Sequence, residues 1–147
     1  MPRRSPRLSL AVQYGVAASG LPSLVALRRW AKAAQGVACI VTVRFVGARE
    51  GRTLNGVYRG KDYPTNVLAF VYDGQSPLRG DIVLCAPVLR HEARAQQKPL
   101  RDHCAHLVVH GMLHLQGYEH DTVRAAREME ARETLDVYAP LAHRLGI

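Results

Sequence analysis

Four of the seven histidines in this chain, His106, His110, His114 and His120, fall within fifteen residues of one another. The residues between them are largely apolar (Leu107, Val108, Val109, Met112, Leu113, Leu115), so residues 100–116 are expected to form a helix. On that helix His110 and His114 project from one face, one turn apart. Two imidazoles need this separation to grip a single ion at about 2.0–2.1 Å each. Gly117 then ends the helix, because glycine accepts the left-handed geometry of a C-terminal cap. The chain turns back, and His120 can arrive as a third ligand. Three neutral nitrogens leave a fourth position open to water, which is the catalytic rather than the structural zinc pattern. His106 lies eight residues before His114, about 12 Å away along a straight helix, too far to share its ion. It is read as orienting a ligand or as packing. Three imidazoles suit one zinc per chain, and also nickel or copper.

The rest of the chain supplies the frame for that helix. Residues 7–13 alternate loosely and read as a short strand. Pro22 suits a first helical turn. From there Leu24, Val25, Leu27, Trp30, Ala31 and Ala34 recur at helical spacing until Gly36. Residues 37–46 are β-branched and almost continuously apolar, which predicts a buried strand. A short helix is expected over 50–59, a break at Pro64, a strand over 67–72, a turn through Gly74 and Pro77, and a strand over 80–85. Pro87 opens a helix to about Gln97, and Pro99 separates it from the histidine helix. A last helix, capped by Thr122, is expected over 122–137. No repeat, low-complexity tract or long linker interrupts this order, so residues 1–147 are read as one domain.

Composition excludes several classes. A chain of 147 residues, 48% hydrophobic and 22% charged, is globular rather than disordered. Its apolar runs are far shorter than the roughly 18 residues of a membrane span, so no transmembrane protein is expected. The cysteines, at 39, 85 and 104, are odd in number, widely spaced and without a CxxC pair, which fits a reducing cytoplasm. The basic start carries an apolar run that stops at Gln13, too short for a signal peptide. The net charge is +8 and one-sided: residues 1–75 carry 11 Lys+Arg against 3 Asp+Glu, and residues 76–147 carry 9 of each. That asymmetry points to a polyanionic partner: nucleic acid, an acidic membrane surface or a ribosome.

The three histidines and the glycine match the spacing of the zinc-protease motif H-E-x-x-H-x-x-G-x-x-H. The second position, however, is Gly111, where those proteases carry the glutamate that takes a proton from water. A glycine there is expected to open space beside the metal for a larger or more negative substrate.

Residues 110–120, which read H-G-M-L-H-L-Q-G-Y-E-H, resemble the signature of the YbeY family of bacterial ribosomal-RNA maturation endoribonucleases. The likeness continues through Leu54-Asn55, Tyr58-Arg59-Gly60-Lys61-Asp62 and Pro64-Thr65-Asn66-Val67-Leu68. It extends to the Gly80-Asp81-Ile82-Val83-Leu84 strand and to Glu128, Met129, Glu130 and Glu133, covering roughly residues 53–137. The family's Ser-Phe-Pro is Ala69-Phe70-Val71 here, its usual aspartate before the last histidine is Glu119, and the first 50 residues match only in outline. The resemblance implies an α+β fold in which a mixed four-stranded sheet packs with helices around a central, zincin-like metal-bearing helix. It implies a zinc-dependent, single-strand-specific RNase that matures the 3′ end of 16S ribosomal RNA and serves ribosome quality control. Its partners would be single-stranded or ribosomal RNA and the ribosome or small-subunit assembly proteins. It gives His110, His114 and His120 as ligands, with His114 also catalytic, and Arg59 as the basic residue lining the cleft. A guanidinium suits that role, since it presents a fixed fork to phosphate.

The residues leave the general base open; Glu119 and Asp121 could instead orient His120. Two other readings differ in class. One is a zinc protease, disfavoured by Gly111. The other is a non-catalytic ribosome-assembly factor with a structural metal, disfavoured by the open fourth position.

Overall fold

A computed structural model describes residues 6–117. The elements run β1 (Leu8–Tyr14), α1 (Leu24–Ala34), β2 (Cys39–Val46), α2 (Ala48–Arg59), β3 (Val67–Asp73), β4 (Leu78–Cys85), α3 (Ala86–Ala95) and α4 (Leu100–Leu115). The strands form one mixed sheet in the order β1-β2-β4-β3. β1 and β4 both run parallel to β2, and β3 runs antiparallel to β4 as an edge strand. The fold is therefore α+β with a mixed four-stranded sheet, as expected. The helix expected over 122–137, His120, Glu119 and Asp121 lie outside the described residues.

Local chemistry explains most boundaries and shifts a few. Ser23, not Pro22, opens α1: its hydroxyl accepts from the Ala26 amide at 3.3 Å. Pro22 lies just before the cap, where its carbonyl accepts from the Tyr14 hydroxyl at 2.6 Å. α1 ends at Ala34, and Gln35 is already extended. β2 starts at Cys39 and buries one face rather than two: Cys39, Val41, Val43 and Phe45 point into the main core while Ile40, Thr42 and Arg44 are half-buried. β4 begins at Leu78, earlier than its β-branched residues suggest, because Leu78 and Arg79 pair with Cys39 and Ile40 of β2. Sheet pairing, not local propensity, sets that end. α2 begins at Ala48, two residues before the expected start.

The main core lies between one face of the sheet and helices α1 and α4, with Leu27, Trp30, Phe45, Ile82, Leu89 and Met112 among its fully buried members. A smaller cluster on the other face joins Val46, Leu68, Val83 and Cys85 to Leu54 of α2 and Val88 of α3. All three cysteines are buried and unbridged. Among the described residues no helix is long and apolar enough to cross a membrane.

α4 is the pivot of the structure. From Asp102 to Leu115 every residue is buried except His106, His110 and His114. A helix that is apolar nearly all round belongs inside a protein. Here it leaves one narrow opening, a stripe of imidazoles at successive fourth positions. Close packing on the sheet makes this possible. A Cβ on Gly111 would stand 3.1 Å from two Ile82 side-chain atoms, so glycine lets the helix approach β4.

Candidate metal and phosphate site

Two elements bring the chemistry together from opposite sides of the β3 edge. From α4 come His110 and His114; from the last turn of α2 comes Arg59. All three line one cleft of about 550 Å³, together with Tyr58, Asn66 and Phe70. Arg59 thus lines the same cleft as the two histidines of α4. No aspartate or glutamate stands among the lining residues described.

The α4 side is set by its burial. His110 and His114 are half-buried at the mouth of a rigid helix, and the His106 ring lies 6.4 Å from that of His110. The helix gives way at Gln116, and Gly117 takes φ +98°, the left-handed turn expected of it. The Gln116 side chain fixes this end. Its Nε2 donates to Ala34 O at 2.9 Å and Met112 O at 2.8 Å, and its Oε1 accepts from the Gly36 amide at 2.7 Å. Thus Gln116 ties the end of α4 to the end of α1.

Two imidazoles on one open stripe, facing a cleft whose described lining carries Arg59 and no carboxylate, could supply two positions of a three-nitrogen metal site. Among the described residues no group of three His, Cys, Asp or Glu side chains is assembled to hold a metal. The proposed third ligand, His120, lies outside those residues. His103, set aside from the motif, is 3% exposed and bound to Glu92 instead.

The other wall is held by side chains that the spacing of histidines does not reveal. α2 ends at Gly60, φ +68°, whose left-handed turn redirects the chain just after Arg59. Asn55, fully buried, donates from Nδ2 to Tyr63 O at 2.7 Å and so pins the loop of residues 60–66 to α2. Arg52 pairs with Asp62 at 2.7 Å across the same loop. Beyond it, Asn66 Nδ2 donates to both Glu92 oxygens, at 3.1 and 3.3 Å. Glu92 in turn accepts from His103 Nε2 at 2.9 Å, since a carboxylate can only accept. This chain of bonds runs from the cleft wall into the core and fixes how Asn66 faces the cleft. The Leu54–Leu68 segment contains Asn55, Asp62 and Asn66, but only the fold shows that Asn55 clips the loop and that Glu92 supports Asn66.

Gly111 has a packing role besides the one expected of it. The glycine lines the cleft with both histidines, and a Cβ there would also press on Ile82 at 3.1 Å, so its absence lets α4 sit close on β4. Any larger side chain at this position would press on Ile82.

Comparison with known proteins places this geometry. The family model described as Endoribonuclease YbeY matches residues 24–137. Endoribonuclease YbeY of Cupriavidus metallidurans is 54% identical over 138 residues, covering 90% of this chain and 70% of that protein. The same-named protein of Aromatoleum aromaticum is 54% identical over 133 residues, covering 88% and 86%. A solution structure of a Thermotoga maritima protein shares the fold, with a TM-score of 0.56, 24% identity and 93% of each chain covered. The segments that build the two walls, residues 54–70 and 100–117, both fall inside the matched region, and the chain belongs to the YbeY family of endoribonucleases.

Proposed function

We propose that this chain is a cytoplasmic, zinc-dependent endoribonuclease specific for single-stranded RNA. It acts in maturing the 3′ end of 16S ribosomal RNA and in ribosome quality control, with the ribosome or small-subunit assembly proteins as partners. One observation supports this above others: Arg59 and the imidazoles of His110 and His114 line a single cleft although they come from different helices. His110, His114 and His120 would hold one ion per chain. When bound, the ion supplies a Lewis acid for a phosphoryl oxygen.

The protein's own residues do the rest. Arg59 is exposed at the end of α2 and makes no ion pair among the described residues, so its fork of donors is available to a phosphodiester. There it neutralises charge that grows on the phosphoryl oxygens in the transition state. The Asn55 clip and the Asn66–Glu92–His103 chain keep that wall in place while RNA enters. The one-sided positive charge of residues 1–75 favours approach of a polyanion.

The test is cleavage of a single-stranded ribosomal RNA fragment, with metal analysis on the same preparations. Wild type should carry one zinc per chain and cut the RNA. His114→Ala should lose most of both, whereas His106→Ala should keep the ion. Equal zinc and equal cleavage in wild type and His114→Ala would overturn the site.

A further inference from the structure

The cleft carries an aromatic feature that phosphate chemistry alone does not require. Tyr58 is 60% exposed, yet its ring lies 4.4 Å from that of Phe70, tilted by 48°. Both rings line the same cleft as Arg59. The aromatic surface continues to Tyr72, 68% exposed, whose hydroxyl donates to Asp81, the register partner of Phe70. An exposed tyrosine packed on a half-buried phenylalanine in a cleft wall, with a second exposed tyrosine along the same strand, makes an aromatic surface suited to binding a flat group.

The surrounding charge narrows the occupant. Tyr58 directly precedes Arg59, so one helix end offers a π-face and a cation side by side. The described lining residues include no carboxylate to attract a basic peptide. A flat, electron-rich ring joined to a phosphate matches this pair. We infer that Tyr58, backed by Phe70, is a stacking platform for one unpaired nucleobase flanking the phosphodiester that Arg59 holds.

This inference rests on the endoribonuclease reading and gives a physical origin for its single-strand preference. A base inside a duplex is already stacked on both faces, so it cannot lie on Tyr58 without being pulled out. An unpaired base meets no such cost. Stacking on a ring also tolerates any base, since all have a π-face.

The test walks a single abasic nucleotide along a short, fluorescently labelled single-stranded RNA. Binding to the full, metal-loaded chain is followed by stopped-flow anisotropy, before cleavage. Wild type should lose affinity roughly tenfold at one abasic position, the range of base–aromatic stacking. Tyr58→Ala should bind intact RNA about tenfold more weakly and be indifferent to the abasic change at that position. Tyr58→Phe should restore wild-type behaviour. In Tyr58→Trp, intact RNA should quench the new indole, and RNA abasic at that position should not; Trp30, fully buried, contributes a constant background. Thermal melts should match wild type, given the exposure of Tyr58. If the abasic change weakens wild type and Tyr58→Ala equally, the platform is refuted. The same follows if Tyr58→Ala keeps both its affinity and its preference for single strands while wild type cuts RNA. Wild type that neither binds nor cuts single-stranded RNA would instead overturn the nuclease reading itself.

Discussion

The two walls of the cleft are built on opposite principles. The α4 wall is a buried helix with one open stripe, and the backbone that carries its histidines is packed in core on every other side. The α2–β3 wall is mostly exposed. Tyr58 and Arg59 stand in solvent, and their placement depends on a few polar clips: Asn55 to Tyr63, Asn66 to Glu92, and Arg44 to Glu50 at the far end of α2. A metal site benefits from the first design, since imidazoles must converge within tenths of an ångström. A polymer-binding wall benefits from the second, since a bound strand must enter, lie down and leave. The difference teaches where to expect fragility. Damage to the α4 wall should register as lost stability, and damage to the α2–β3 wall as lost binding or turnover in a protein that still folds.

The largest effect should come from forcing a side chain into the packed wall. Gly111→Glu completes the zinc-protease pattern on paper. In the structure its Cβ meets Ile82 at 3.1 Å, and the carboxylate would have to be buried or the helix lifted from the sheet. Overpacking together with an unpaired buried charge should cost roughly 4 kcal/mol or more. Urea unfolding should show a midpoint far below that of wild type, with no gain of casein hydrolysis. A variant with the wild-type midpoint would mean that the cleft has room for a base at 111, and the protease reading would have to be taken up again.

The exposed wall should behave the other way. Arg59→Glu should leave zinc content and the thermal midpoint close to wild type, because the side chain makes no ion pair among the described residues. Cleavage should nevertheless fall by about two to three orders of magnitude, the usual cost of losing a charge-stabilising donor. Arg59→Lys should fall between, keeping the charge and losing the fork. Cleavage rate and metal content on the same preparations decide the matter. Full activity would leave Arg59 a surface residue, whereas joint loss of zinc and activity would mean that the two walls are not separable.

The same contrast explains what was legible beforehand. The α4 wall is written locally: histidines four apart, apolar residues between them and a terminal glycine suffice to specify a helix, its open stripe and its end. Gly117 therefore behaves as expected. The role of Gly111 was not legible, because its neighbour Ile82 is distant in sequence and the glycine's purpose is the approach of α4 to β4. The start of β4 was missed for a related reason: Leu78 and Arg79 are strand residues only because β2 lies beside them. On the exposed wall, Arg59 was reached through a resembling segment rather than through physics. Asn55 and Glu92 look like ordinary surface residues until the fold shows what they bind. Tyr58 stands in the same resembling segment with nothing to single it out, and only its exposure beside Phe70 marks it.

The smallest effect tests how firmly the exposed wall is anchored. Arg44 on β2 donates from Nε to Glu50 Oε2 at 2.7 Å and from a terminal nitrogen to Oε1 at 2.8 Å, tying the first turn of α2 to the sheet. The hydrogen bonds from Arg44 hold the Glu50 carboxyl below its ordinary range, the charge attraction adding to them and partial burial opposing them. A carboxyl depressed in the folded state contributes stability that is present above its unfolded pKa, near 4.3, and is lost as pH falls through the lower folded value. The two side chains are 33% and 39% exposed, so solvent screens the pair and its contribution should be about 0.5 kcal/mol. Glu50→Gln should therefore lower the thermal midpoint at neutral pH by about 1–2 °C. The gap should narrow as the pH drops below about 4 and close once Glu50 is protonated in both states. A gap that stays constant down to strongly acid pH would show that Glu50 anchors α2 by packing or uncharged hydrogen bonding. The exposed wall would then owe its position to the same kind of contacts as the buried one.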